Sequence, residues 1–210
     1  MLYEYLLANY VVNEVIIASD LAACGLNKST IRRQLKQLTD QGKIRRYDKG
    51  IYYLPKRTIF NTEAQPSREE IIEKKYLKCN DECIGYITGL SLANQLGLTT
   101  QVPVVVEVVS NKASRDYREI KLANATIILR KPKVDVTADN YHALQFLDLM
   151  KDIDVLSELS KTALRQKLLS FMEQTKLSFT MLEPYIRYYP DKLFRNLYET
   201  GLLNYVSALK

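Results

Sequence analysis

Hydrophobic positions change period several times along the chain, and each change marks an element. Leu2, Leu6 and Leu7 recur at helical spacing, which predicts an amphipathic first helix over residues 2–10. The β-branched run Val11, Val12, Val15, Ile16 and Ile17 ends that helix or starts a short strand. Ser19 or Asp20 caps a brief helix through Leu21 to Cys24, which stops at Gly25. Asn27 then caps a longer helix that ends before Gly42. On it Ile31, Leu35 and Leu38 stand at i, i+4 and i+7, one buried stripe. The segment KIRRYDKGIYYLP reads as a hairpin: Lys43–Tyr47, a turn at Asp48-Lys49-Gly50, then Ile51–Leu54, closed by Pro55. Alternation turns Ile44, Ile51 and Tyr53 inward and leaves Arg45, Arg46 and Lys49 near the tip. Helix, turn, helix and hairpin together make a winged helix-turn-helix.

The rest of the chain has a different rhythm. Residues 58–67 lack periodicity, contain Pro66 and read as a linker. Ser67 followed by Glu70 is a capping box that opens a helix over 68–79. A short helix from Ser91 stops at Gly97. Pro103–Val109, Tyr117–Leu122 and Thr126–Arg130 read as strands of a small antiparallel meander, with Ala123-Asn124-Ala125 as a tight turn. Beyond Thr137 the apolar spacing predicts helices near 139–152, 161–175, 177–188 and 190–206. The expected fold class is therefore α+β. A winged helix-turn-helix over 1–57 precedes a linker over 58–67 and a second domain over 68–210. That domain has an α/β part, 68–136, with a small antiparallel sheet, and a C-terminal helical part, 137–210.

Composition narrows the function classes. The 210 residues are 47% apolar and 26% charged, an ordinary globular balance that excludes global disorder. No apolar run is long enough for a membrane span, and the first residues lack the basic start of a secretory signal, so a cytoplasmic location is expected. Three cysteines, Cys24, Cys79 and Cys83, are too few for a disulfide scaffold. Cys79 and Cys83 lack further soft ligands nearby, and His142 stands alone beside Tyr141, so no metal and no cofactor are expected. Glu107 on one strand with Glu119-Ile120-Lys121 on the next imitates the E-x-K arrangement of metal-dependent nucleases. That pattern is frequent by chance, and no preceding Asp stands at a strand end. Phosphate-cradling glycine loops and the nucleophile-elbow and zinc-helix motifs are absent from the sequence. The chain is not expected to be an enzyme, and no catalytic residue is assigned.

The formal net charge of +6 is unevenly spread. Between Lys28 and Arg57 ten basic residues face only Asp40 and Asp48, so this window alone carries +8. Residues 136–210 are neutral, with nine residues of each sign. The face of the second long helix opposite its apolar stripe carries Ser29, Arg32, Arg33, Lys36 and Gln37, with Lys28 and Thr30 at its N-terminal end. Lys43, Arg45, Arg46 and Lys49 add the wing. Arginine and lysine neutralise phosphates, and polar side chains among them read base edges in the major groove. A second basic cluster, Lys112, Arg115, Arg118, Lys121, Arg130, Lys131 and Lys133, is a candidate secondary surface. The structural alternative is a winged helix used for protein contact, with a solvated basic face.

One stretch carries a resemblance. GKIRRYDKGIYYLPK, then GYITGLSLANQLGLTTQVPVVVEVVSN and REIKLANATIILRKPK, resemble the AbiEi family of abortive-infection antitoxins over about residues 15–135. The signature Y-x-T-G-x-S-x-x-x-x-L-G-L-T-T-Q-x-P stands here as Tyr86, Thr88, Gly89, Ser91, Leu96, Gly97, Leu98, Thr99, Thr100, Gln101 and Pro103. The resemblance implies a type IV toxin–antitoxin system of phage defence. In such a system the antitoxin represses its own operon by binding inverted repeats in double-stranded promoter DNA through the winged helix. It also counteracts a nucleotidyltransferase-type toxin without a stable complex. By position, Ser29, Thr30, Arg32, Arg33 and Lys36 fall on the recognition helix and Arg45, Arg46 and Lys49 on the wing. Thr99, Thr100 and Gln101 receive no chemical role, and a hydrogen-bonding turn is as good a reading for them as a ligand site. Two other functions stay open: a DNA-binding regulator with a ligand- or protein-sensing domain, and the nuclease-like enzyme.

Overall fold

A computed structural model describes residues 1–57, 63–79, 82–122 and 125–203. It is an α+β structure of two compact units, Met1–Lys75 and Tyr76–Lys210. Among the described residues no helix is long and apolar enough to cross a membrane.

In the first unit, α1 (Leu2–Asn9) leads to strand β1 (Val15–Ile17), a 3-10 turn over Asp20–Cys24 and helix α2 (Lys28–Asp40). Strands β2 (Arg45–Asp48) and β3 (Ile51–Tyr53) complete an antiparallel sheet in the order β1-β3-β2. The expected stripe is buried: Ile31, Leu35 and Leu38 pack with Leu2, Leu6, Ile16, Leu21 and Ile44 in one core. Leu7, read as part of the first apolar face, is 55% exposed, because a narrow face of Leu2 and Leu6 already fills the space under α1. Strands β4 (Lys56–Arg57) and β5 (Glu63–Ala64) pair with each other, so part of the expected linker is paired backbone. Residues 58–62 of that segment lie outside the described residues. Ser67 caps α3 (Arg68–Ile72) through the capping box with Glu70, and the helix widens into a π turn over Glu73–Leu77. The capped helix α3 thus belongs to the first compact unit. Lys74 reaches Glu14 at 3.2 Å and lies over the Tyr10 ring.

The second unit opens with a small hairpin, β6 (Lys78–Cys79) and β7 (Glu82–Cys83), followed by β8 (Gly85–Thr88) and α4 (Gly89–Gln95). Strands β9 (Val105–Ser110), β10 (Arg118–Leu122) and β11 (Ala125–Arg130) follow, and the sheet order is β10-β11-β9-β8. The strands do not form the expected antiparallel meander. β10 and β11 pair antiparallel, but β11 lies beside β9 and runs parallel to it, so the sheet is mixed. A meander would place the polar strand REIKL in the middle. The observed order puts it at the edge, where its exposed Arg118, Glu119 and Lys121 meet solvent, and gives the centre to the apolar β9. Two of the expected turn residues, Ala123 and Asn124, lie outside the described residues. Helices α5 (Tyr141–Lys151), α7 (Lys161–Gln174), α8 (Phe179–Ile186) and α9 (Lys192–Glu199) stand near the expected places, with an unexpected short helix α6 (Ile153–Leu156) after the first; residues 204–206 of the last expected helix lie outside the described residues. Phe146 and Phe171 stack at 6.0 Å in a core shared with Leu92, Leu98, Leu168 and Leu193.

The signature residues hold this unit together. The Tyr86 hydroxyl donates to Asp148 on α5 at 2.8 Å. Gly89 has φ +60°, and a Cβ there would meet the Glu107 carboxylate, so glycine serves both backbone and space. Ser91 donates to the Val105 carbonyl at 3.3 Å. Glu158 accepts from the Thr100 amide at 2.9 Å, the Thr100 hydroxyl at 3.1 Å and the Gln101 side-chain amide at 2.8 Å. Thr99 accepts from the Gln101 amide at 3.1 Å, and Asn94 donates to the Gln101 carbonyl at 2.9 Å. Thr99, Thr100 and Gln101 thus form a hydrogen-bonding turn clamped by one carboxylate.

The two carboxylates in this frame have opposite pH signs. The backbone amide of Thr100, with help from Gln101 and the threonine hydroxyls, holds the Glu158 carboxyl down to about 2. Its stabilisation is present above the ordinary value of 4.5 and is lost as pH falls toward about 2. Burial pushes the Asp148 carboxyl up, against the pull of Lys151, Tyr86 and Tyr189. Stability is therefore greatest below its ordinary value of 3.8 and falls as pH rises through the folded value. Thermal melting across this range separates the two. Glu158→Gln is expected to flatten the acid limb of the stability curve, and an unchanged limb would contradict the clamp. Asp148→Asn, which can still accept from Tyr86, is expected to raise the melting temperature at neutral pH. A drop there would show that the charged hydrogen bond outweighs the burial cost.

Candidate nucleic-acid interface

The site begins with the cap of α2. Asn27 Oδ1 accepts from the Thr30 amide and from the Ser29 hydroxyl, both at 2.8 Å, which fixes where the helix starts. Burial of Ile31, Leu35 and Leu38 then fixes its rotation. Two rows point away from the core at i, i+4 spacing: Lys28, Arg32 and Lys36, then Ser29, Arg33 and Gln37, all exposed. Thr30 is half-buried, and the Ser29 hydroxyl proton is committed to the cap, so these two are the least free of the expected contacts. Among the described residues Lys28, Arg32, Arg33 and Lys36 form no ion pair, and like charges four apart cost a helix about 0.2–0.5 kcal/mol per pair. An anion laid along the rows would offset that repulsion.

The hairpin adds a second basic edge. Gly50 takes φ +75° at the turn, as the three-residue reading required. Asp48 Oδ1 accepts from the Lys49 amide at 2.6 Å, and Arg46 Nε donates to the Asp48 carbonyl at 3.3 Å. The β2–β3 register shifts between Arg46 and Asp48, a bulge that leaves Tyr47 as the extra residue. Arg46 and Lys49 are exposed and Arg45 is half-buried. Lys43 is exposed, with its ammonium 5.1 Å from the Tyr3 ring centroid. The side chains of Lys56 and Arg57, which close the +8 window, lie outside the described positions.

In the second unit the basic cluster divides. Lys112, Arg115, Arg118, Lys131 and Lys133 are exposed and lie at one end of the sheet, where β9 and β11 finish and β10 begins. Asn111 ties the two segments there, donating to the Val136 carbonyl at 2.9 Å and accepting from its amide at 2.8 Å. Lys121 stands toward the other end of β10, on the face opposite to Arg118. Arg130 is committed: its Nη2 and Nε donate to Glu107 at 2.9 and 3.1 Å, and Tyr117 lies against its guanidinium at 5.5 Å.

That ion pair also bears on the E-x-K pattern. Glu119 pairs with Ile128, and Ile128 with Glu107, so the two carboxylates share a sheet face but stand two strands apart, roughly 10 Å. Among the described residues no three His, Cys, Asp or Glu side chains gather as a metal site. The ring of His142 lies 3.8 Å from Tyr141 and edge-on to Phe171, and burial lowers its affinity for a proton. Cys83, whose thiol burial pushes up, donates to the Gly85 carbonyl at 3.5 Å.

Comparison with curated proteins finds no match. A protein-family comparison does: DUF6088, a family of unknown function, matches residues 8–177, across the basic helix, the hairpin and the signature, and the chain belongs to that family.

Proposed function

We propose that the first unit is a winged helix that binds double-stranded promoter DNA, and that the chain represses its own operon as the antitoxin of a type IV toxin–antitoxin system. The observation that carries the DNA-binding part is the pair of exposed rows on α2, four cations with no ion pair among the described residues, flanked by Ser29 and Gln37, opposite a stripe that fixes their direction. The order α1, β1, 3-10 turn, α2, β2, β3, with β3 central in the sheet, supports a winged helix in which α2 is the recognition helix and the hairpin is the wing. Lys28, Arg32, Arg33 and Lys36 contact phosphates and base edges, and Gln37 supplies a neutral reader. Arg46 and Lys49 hold the flanking backbone. The exposed cluster around Arg115 and Lys131 serves as a secondary contact. The antitoxin role, with a nucleotidyltransferase toxin as its functional partner, rests on the resemblance carried by Tyr86 to Pro103.

The test is operator binding measured over a range of salt. A duplex taken from upstream of the chain's own coding sequence should bind with an affinity that falls steeply with salt, a slope of ~0.9 per phosphate neutralised. Changing Arg32 and Arg33 to Ala should cost about 1–3 kcal/mol each and lower that slope, with the melting temperature unchanged. Unchanged affinity in a folded double variant would remove the recognition-helix assignment. For the antitoxin role, co-expression with an adjacent nucleotidyltransferase should restore growth that the transferase alone arrests. Growth arrest that persists at equal expression would remove it.

A further inference from the structure

The wing carries a residue that the charge pattern passes over. Residues 1–75 contain six tyrosines, Tyr3, Tyr5, Tyr10, Tyr47, Tyr52 and Tyr53. Tyr53 is buried, and Tyr3, Tyr5, Tyr10 and Tyr52 pack against the core of the unit. Burial pushes the Tyr10 hydroxyl up to about 12. Tyr47 is the exception: it is half-buried, stands outside that core, and its hydroxyl has no hydrogen-bond partner among the described residues.

Its placement is specific. β2 is an edge strand, and the register steps from Arg46 opposite Tyr52 to Asp48 opposite Ile51, so Tyr47 is the bulged residue. Bulges at strand edges re-aim side chains and end pairing, and they gather at functional sites. On either side stand exposed cations: Arg46, whose Nε is held to the Asp48 carbonyl at 3.3 Å, and Lys49 at the tip. A large aromatic ring with a free hydroxyl on a solvent edge is a poor choice for stability alone, since it buries only part of its apolar area. Beside two cations it suits a polyanion whose phosphates alternate with sugars and, in the groove, base edges.

We propose that Tyr47 is a nucleic-acid contact residue of the wing, its ring packing on the sugar or base edge between the phosphates that Arg46 and Lys49 neutralise. This rests on the DNA-binding reading of the first unit and assigns to the wing a contact that charge does not supply.

The two kinds of contact separate by salt. Fluorescence anisotropy with the full chain and a short labelled duplex from its own upstream region gives the affinity and its salt slope. Tyr47→Ala is expected to weaken binding about ten-fold at every salt concentration, the worth of roughly 50 Å² of apolar area, and leave the slope unchanged. Arg46→Ala is expected to lower the slope by about one. Unchanged affinity in Tyr47→Ala overturns the proposal, and so does a fall in slope, which would make Tyr47 a positioning residue for Arg46. Should Tyr47→Ala lower the melting temperature, Tyr47→Leu keeps apolar bulk at the bulge and decides the question, because a ring contact predicts weakened binding there as well. Failure of the DNA-binding reading looks different: the unaltered chain then shows no salt-dependent binding, or binding that the Arg32 and Arg33 changes leave intact.

Discussion

One burial constraint sets the direction of every exposed side chain on α2, the stripe of Ile31, Leu35 and Leu38. Each side chain removed from water contributes about 1.5–3 kcal/mol, well beyond any helix propensity difference at the polar positions. That energy fixes the rotation of the helix, and once the rotation is fixed the remaining side chains have no choice of direction. Lys28, Arg32, Arg33 and Lys36 repel one another on the outer face, and a few tenths of a kcal/mol per pair cannot turn the helix against its core. Asn27 sets the axial start in the same way. The exposed basic face is thus a consequence of packing, with charge decorating a direction chosen by apolar contacts.

Unit 1 was legible because its elements are local. A cap, a stripe at helical spacing and a hairpin turn each lie within a few residues, so Lys28–Asp40 and the turn at Gly50 emerge close to where the pattern places them. The bulge at Tyr47 was less visible, although a three-residue loop often brings one. The sheet of unit 2 shows the opposite case. Which strand neighbours which is a long-range choice, and contiguity along the chain suggests a meander. The observed order instead follows polarity: β10 takes the edge and the apolar β9 the centre, with Glu107 and Arg130 joined across β9 and β11. A reading that weighed each strand's polarity over its position in the chain would have found that order.

The second basic cluster shows why counting charges overstates a surface. Seven cations between Lys112 and Lys133 look like one patch in the sequence. Strand alternation sends Arg118 and Lys121 to opposite faces, and the pairing of Glu107 with Arg130 removes one cation from the set available to a ligand. Five remain together at one end of the sheet, on two segments that Asn111 ties side by side. Exposure and commitment, more than number, decide what a cation offers to a polyanion.

The same distinction applies to the signature. Its polar residues look like a site, yet most have an internal partner: Tyr86 with Asp148, Ser91 with the Val105 carbonyl, Thr100 and Gln101 with Glu158. Gly89 leaves room for a carboxylate already held by Arg130. Hydrogen bonds made within the protein are donors and acceptors withdrawn from a ligand, and at the buried Tyr86 and Ser91 breaking them would leave groups unpaired at a cost of about 1–3 kcal/mol each. The most specific motif of the chain therefore specifies architecture, and the groups most open to a partner among the described residues are the exposed cations elsewhere: the rows on α2, Lys49 at the hairpin tip and the sheet end. The proposed contacts with a partner accordingly rest on those surfaces, because the signature has already used most of its polar groups to fold.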